Sequence, residues 1–168
     1  YNGYPASICV SVNDEVVHGI PSKRRILREG DIVSLDAGLI YEGYHSDAAR
    51  THAVGEISPE AKKLIEVTRQ SFFEGIKYAK AGNHLHEISK AIGDYAESFG
   101  YGVVRDLCGH GIGTSLHEDP QIPNYAQRSR GIRLQRGMTL AIEPMINLGR
   151  PEVRWLDDDW TVVTEDGS

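Results

Sequence analysis

The sequence predicts an α+β fold in a single domain. Strand-like segments stand near both ends, two helical segments lie together between them, and no low-complexity linker divides the 168 residues. A domain of about 150 residues buries roughly two thirds of the surface its unfolded chain exposes, so an ordinary core is within reach.

Taken in order, residues 8–17 (ICVSVNDEVV) read as two short strands around Asn13-Asp14, followed by a turn at HGIP. Residues 31–50 (DIVSLDAGLIYEGYHSDAAR) read as a β-hairpin around Glu42-Gly43. Ser58-Pro59-Glu60 is a helix start, with a capping serine, proline at the first helical position and an early acid. Leu64, Phe72, Ile76 and Ala79 then recur at helical spacing as far as Gly82. A second helix is predicted over about 86–99, with Ile88, Ala91, Ile92, Tyr95 and Phe99 turned inward and Gly100 stopping it. Val103-Val104, the loop CGHGIGTSLHEDP (108–120), a polar stretch (120–136), the strand GMTLAIEPMI (137–146) and the strand WTVVT (160–164) complete the chain.

The net charge of −6, from 18 basic and 24 acidic residues, argues against a nucleic-acid surface. The one basic cluster, Lys23-Arg24-Arg25 with Arg28, reads as a solvated face. Cys9 and Cys108 make no disulfide framework and fit a reducing compartment, hence a cytoplasmic expectation. No run of about 18 apolar residues exists to span a membrane. The opening YNGYPASICVSV carries no signal-peptide pattern, and the closing TVVTEDGS follows a strand-like run, so both ends read as cut.

The chemistry begins in the hairpin. If Glu42-Gly43 is its two-residue loop, Tyr41 pairs with Tyr44, Asp47 sits opposite Gly38, and Asp36 lies two residues along from Gly38. Asp36 and Asp47 then share a face on the diagonal, where two carboxylates need a cation or a proton between them. A one-residue slip puts them on opposite faces; the alternative reading is that one aspartate is exposed and the other caps the turn. Glu143, in LAIEPM, is an acid in an apolar strand, held extended by the proline that follows and costly to bury unless paired or metal-bound. His110 lies between Gly109 and Gly111, where missing side chains leave room for a ligand or metal near the backbone. A phosphate cradle needs a lysine after its glycines, or Gly-x-Gly-x-x-Gly between strand and helix; GHGIG leads instead to Thr-Ser-Leu-His-Glu. Three carboxylates and one imidazole suit Mn(II), Fe(II) or Co(II), and zinc less specifically, with bridging carboxylates holding two ions for hydrolysis. His117 and His18 could reach the same cleft, although each taken alone is more often a hydrogen-bonded structural histidine. His45, His52, His84 and His86 keep that structural reading. Cys9 reads as a small wall residue.

SVNDEVVHGIP, GDIVSLDAGLIYEGYHSDAAR, CGHGIGTSLHEDP and GMTLAIEPM together resemble the bacterial-type (type I) methionine aminopeptidases, members of the pita-bread metallopeptidases. The resemblance runs from residue 1 to 168, in order and spacing. It implies an incomplete pita-bread fold, an antiparallel curved sheet with helices on its outer face. It implies two divalent ions (Mn, Fe(II), Co or Zn) held by Asp36, Asp47, His110 and Glu143, with Asp47 bridging, Asp36 on one ion and His110 and Glu143 on the other. His117 is implied to bind the scissile carbonyl, His18 the nitrogen of the leaving residue, and Glu143 to relay a proton. Tyr1, Tyr4, Cys9 and Trp160 match positions lining the methionine pocket, and Leu116 stands where the family carries a larger aromatic residue. The implied reaction removes N-terminal methionine from nascent chains with a small second residue, in a cytoplasmic monomer working near the ribosome without contacting nucleic acid or membrane.

The family's fifth ligand, a glutamate in a segment like SAQYEHT, and a leading helical stretch of roughly sixty residues fall outside residues 1–168. The resemblance therefore implies one catalytic domain that lacks both. An Xaa-Pro aminopeptidase or prolidase of the same fold and a non-catalytic pita-bread binding module are the alternatives. The HGIP turn and compact spacing favour the methionine enzyme over the first, and four intact ligand positions argue against the second.

Overall fold

The computed structural model describes residues 2–168. Its elements run β1 (Cys9–Val12), β2 (Glu15–Val17), β3 (Ile32–Tyr41), β4 (Tyr44–Ala53), α1 (Pro59–Ile76), α2 (Leu85–Glu97), β5 (Gly102–Val103), β6 (Gly109–Gly111), β7 (Glu118–Ile122), β8 (Leu140–Ala141), β9 (Ile146–Asn147), β10 (Val153–Trp155) and β11 (Val162–Thr164). The strands form antiparallel groups in the orders β1-β3-β4, β10-β11-β2, β5-β9 and β7-β6-β8. This is the α+β arrangement the sequence predicts.

The helices begin where expected. The Ser58 hydroxyl accepts from Ala61 N–H at 3.1 Å to start α1, and the Glu87 carboxylate accepts from His84 N–H at 2.9 Å to start α2. α1 stops six residues short of Gly82, because residues 77–80 tighten into turns, with Tyr78 N–H on Gly75 O at 3.0 Å and Lys80 N–H on Tyr78 O at 2.7 Å. Its inward stripe is Val67, Ser71 and Gly75, not the larger residues of the sequence reading; Leu64, Phe72 and Ile76 are half-buried and Ala79 is exposed beyond the helix. Small residues win these positions because α2 crosses close by: a β-carbon on Gly75 would lie 2.6 Å from Ile92 Cγ1. In α2, Leu85, Ile88, Ile92 and Ala96 are buried, while Phe99 lies outside the helix, exposed, with its ring 5.2 Å from that of Tyr95.

Leu85, Ile88 and Ile92 of α2 form a buried cluster with Ile122 of β7 and Leu134, and Leu140 and Ile142 pack against it. The helix thus covers one face of the β7-β6-β8 sheet. Glu143, next along from Ile142, turns the other way.

Three strand expectations change. Residues 108–120, read as a loop, contain β6 and the start of β7, a hairpin with a register shift between His110 and Gly111. The predicted strand 137–146 is two short strands in different sheets: β8 pairs with β6 and β9 with β5. Pro144 has no N–H to continue a ladder, and the chain changes sheets across residues 142–145. The last strand starts at Val162 rather than Trp160, because the N–H groups of Trp160 and Thr161 donate to Asp158 Oδ1 at 2.9 and 2.7 Å.

Replacing Gly75 with alanine should destabilise the protein. The added methyl gains helix propensity of roughly 1 kcal/mol but strikes Ile92, and the overpacking cost of about 1–3 kcal/mol dominates. Urea unfolding should show a lower midpoint at an unchanged slope; a raised midpoint would refute the close packing.

Candidate metal centre

The site rests first on a turn. Glu42 (φ 49°) and Gly43 (φ 83°) form a two-residue loop with both residues left-handed, the type I′ geometry that matches strand twist. Register follows: every β3–β4 pair from Tyr41–Tyr44 to Ile32–Ala53 sums to 85. Asp47 therefore faces Gly38 and Asp36 faces Ala49, on one side of the sheet, and the carboxyls are close enough to hydrogen bond. Cys9 of β1 pairs with Asp36 on the other flank.

His110 and Glu143 come to the same point from the other sheets. His110 Nε2 lies 3.7 Å from Asp47 Oδ2 and 3.1 Å from Glu143 Oε1. The ligand atoms of Asp47, His110 and Glu143 all lie within 4.8 Å of one another. Asp36 joins the group through Asp47. His110 Nδ1 sits 2.8 Å from Gly111 O, which only accepts, so the ring proton is on Nδ1 and the Nε2 lone pair points at the acids. Glu143 Oε1 is buried with no hydrogen-bond donor among the described residues. With Glu143 ionised, two electron-pair donors 3.1 Å apart, with Asp47 beside them, form a donor set that a divalent cation fits.

The electrostatics agree. Burial, then the neighbouring Asp47, pushes Asp36 up to about 6. Burial, then Asp47 and Asp36, pushes Glu143 up to about 8. Both carboxyls bind protons more tightly than usual because no positive charge compensates them.

The flanking glycines have a different role from the one the sequence suggested. A β-carbon on Gly109 would lie 2.3 Å from Ala141 O, and one on Gly111 2.2 Å from Asp119 O. Their missing side chains admit the neighbouring strands, not a ligand. They let β7 and β8 close on both sides of His110.

The other candidate residues surround this cluster. The His117 ring lies 4.2 Å from that of His110, and burial, then His110, lowers its proton affinity. His18, at φ 59°, is lowered by burial and is within the field of Asp47. The Tyr4 hydroxyl donates to Gly19 O at 2.7 Å, its ring meets Trp160 edge-on at 5.2 Å, and it reaches the Cys9 thiol beside Asp36. Leu116 Cδ1 lies 3.7 Å from where a Gly38 β-carbon would stand. Tyr1 lies outside the described residues. Two further residues support the site without having stood out in the sequence. Glu118 Oε1 accepts from Ser115 N–H at 2.8 Å and so ties down the turn carrying Leu116 and His117. Asn124 Nδ2 donates to Glu143 O at 2.7 Å.

A half-buried carboxylate–imidazole cluster of this kind on an α+β scaffold is that of a metal-dependent hydrolase. The chain belongs to metallopeptidase family M24, whose sequence profile matches residues 1–166. It is 61% identical to the methionine aminopeptidase of Clostridium acetobutylicum over 168 residues, covering 100% of this chain and 67% of that protein. The solved methionine aminopeptidase of Thermotoga maritima is 50% identical with a TM-score of 0.97, covering 100% of this chain and 68% of that one. The prolidase of Pyrococcus furiosus is more distant, 26% identical with a TM-score of 0.70, covering 94% and 44%. The chain thus spans about two thirds of the length of the methionine aminopeptidases it matches. Its architecture is the pita-bread fold.

The crowding has a testable signature. Asp47→Asn should raise the melting temperature of the metal-free protein by about 2–4 °C, the equivalent of roughly 1 kcal/mol at this size, while abolishing the stabilisation given by Mn(II). A variant less stable than wild type without metal, yet still stabilised by Mn(II), would contradict the geometry.

Proposed function

We propose that this protein removes N-terminal methionine from polypeptides whose second residue is small, in a hydrolysis that depends on two divalent ions. The observation that carries the reading is the Glu143 Oε1–His110 Nε2 pair, two electron-pair donors 3.1 Å apart with Asp47 alongside. Asp36, Asp47, His110 and Glu143 would hold the ions. Mn, Fe(II), Co and Zn all suit such donors, and the ions supply Lewis-acid polarisation of the carbonyl and a water of lowered pKa.

The chain's own groups do the rest. Glu143 takes a proton from the attacking water and delivers it to the departing amine nitrogen. His117, kept neutral by burial and by His110, donates an N–H where negative charge develops on the carbonyl oxygen. His18 contacts the nitrogen of the leaving residue. Tyr4, Cys9, Leu116 and Trp160 line the pocket for the methionine side chain. Leu116 makes that pocket roomier than an aromatic residue would.

Residues 1–168 act as one catalytic domain of a cytoplasmic monomer that meets nascent chains near the ribosome through its peptide site alone. The net charge of −6 supports the absence of a direct nucleic-acid partner. Among the described residues no helix is long and apolar enough to cross a membrane. Cleavage of Xaa-Pro substrates is the weaker reading, since likeness to the prolidase falls well below that to the methionine aminopeptidases. The converged ligands argue against a purely binding role.

Assays with Mn(II) or Co(II) should show cleavage of Met-Gly-Met and none of an Xaa-Pro peptide, and chelation should abolish it. The reverse preference would overturn the assignment. His117→Ala should lower kcat by about 10²–10³, the usual loss for one oxyanion donor, with Mn(II) affinity kept within twofold.

A further inference from the structure

We propose that Asn124 is a positioning residue for Glu143: its amide holds the backbone that delivers the Glu143 carboxylate to His110, and it thereby sets the affinity of the metal centre. The proposal rests on the reading of Glu143 as a ligand. Glu143 sits in the gap between β8, which ends at Ala141, and β9, which starts at Ile146, where the chain changes sheets and Pro144 has no N–H. Within that gap Val104 N–H donates to Met145 O at 3.0 Å, two residues beyond Glu143, and the Glu143 carbonyl itself turns to a side chain. Asn124 supplies that bond, with Nδ2 donating to Glu143 O at 2.7 Å. A carbonyl can only accept, so the amide orientation is dictated by its partner.

Asn124 is itself rigidly placed. It is 0% exposed. Its backbone lies directly on α2, where a β-carbon on Gly93 would stand 3.0 Å from both Asn124 O and Tyr125 Cα. Its Oδ1 is buried and meets no donor among the described residues. Burying an amide with one end unmet is unfavourable, and an apolar residue of similar size would avoid that cost. The N–H bond to Glu143 O is the gain that offsets it. A continuous path of contact thus runs from α2 through Asn124 to the backbone of a metal ligand.

The test is a double-mutant cycle in the full chain, with Mn(II) binding measured by isothermal titration at fixed pH and apo stability by urea unfolding. Asn124→Leu keeps the volume and removes the donor. It should weaken Mn(II) binding about tenfold or more, the usual loss when a group orienting a metal ligand is removed, and should have under twofold effect in a Glu143→Gln background. Asn124→Ser, too short to reach Glu143 O, should repeat the pattern and serves if the leucine variant does not fold. Asn124→His, which retains a ring N–H donor, should recover most of the affinity. Wild-type affinity in the leucine and serine variants, or an equal loss with and without Glu143→Gln, overturns the proposal. If Glu143→Gln alone leaves Mn(II) binding intact, the ligand reading fails first and the proposal falls with it.

Discussion

The structure is organised around an unfavourable arrangement of charge. Three carboxyl groups and an imidazole lone pair converge at one half-buried point, and no positive charge of the described chain compensates them. Such a cluster is stable only because the scaffold holds its members from separate directions. Asp36 and Asp47 come from adjacent strands of one hairpin, His110 from a strand of another sheet, and Glu143 from the point where the chain passes between sheets. Folding supplies the convergence, and positive charge supplies the compensation.

Each contribution has a local cause. The left-handed pair Glu42-Gly43 sets a register that puts both aspartates on one face. Gly109 and Gly111 let the flanking strands approach His110, and the Nδ1–H bond to Gly111 O turns Nε2 toward the acids. The apolar alternation Leu140 and Ile142 against α2 leaves Glu143 facing the opposite way. The hydrophobic core and the metal centre are therefore two sides of the same sheet, and neither can be moved without the other.

Much of this was legible in the sequence, for reasons of range. A two-residue loop is a local signal, so the hairpin register and the shared face of Asp36 and Asp47 follow from a few neighbouring residues. The Ser58-Pro59 start of α1 is equally local. The break after Ala141 was signalled by Pro144 but obscured by the apolar run around it. What pattern reading missed depends on distant partners. Hydropathy marks large residues as inward, yet the closest helix contact uses Ser71 and Gly75. The turn-rich letters around His110 concealed a hairpin, and the polar stretch after β7 concealed a fully buried Asn124, whose partner lies nineteen residues away.

The passage of the chain between sheets at residues 142–145 has a mechanical consequence. Asp47 belongs to the β1-β3-β4 sheet, His110 to the β7-β6-β8 sheet, and Glu143 to the link between that sheet and β5-β9. Near the cluster the first two sheets are joined by the bond from His45 N–H to Gly113 O at 2.7 Å. Under the proposed reading, a cation held by these side chains would therefore brace separate layers as well as serve the chemistry, tying two sheets and the link between them at one point.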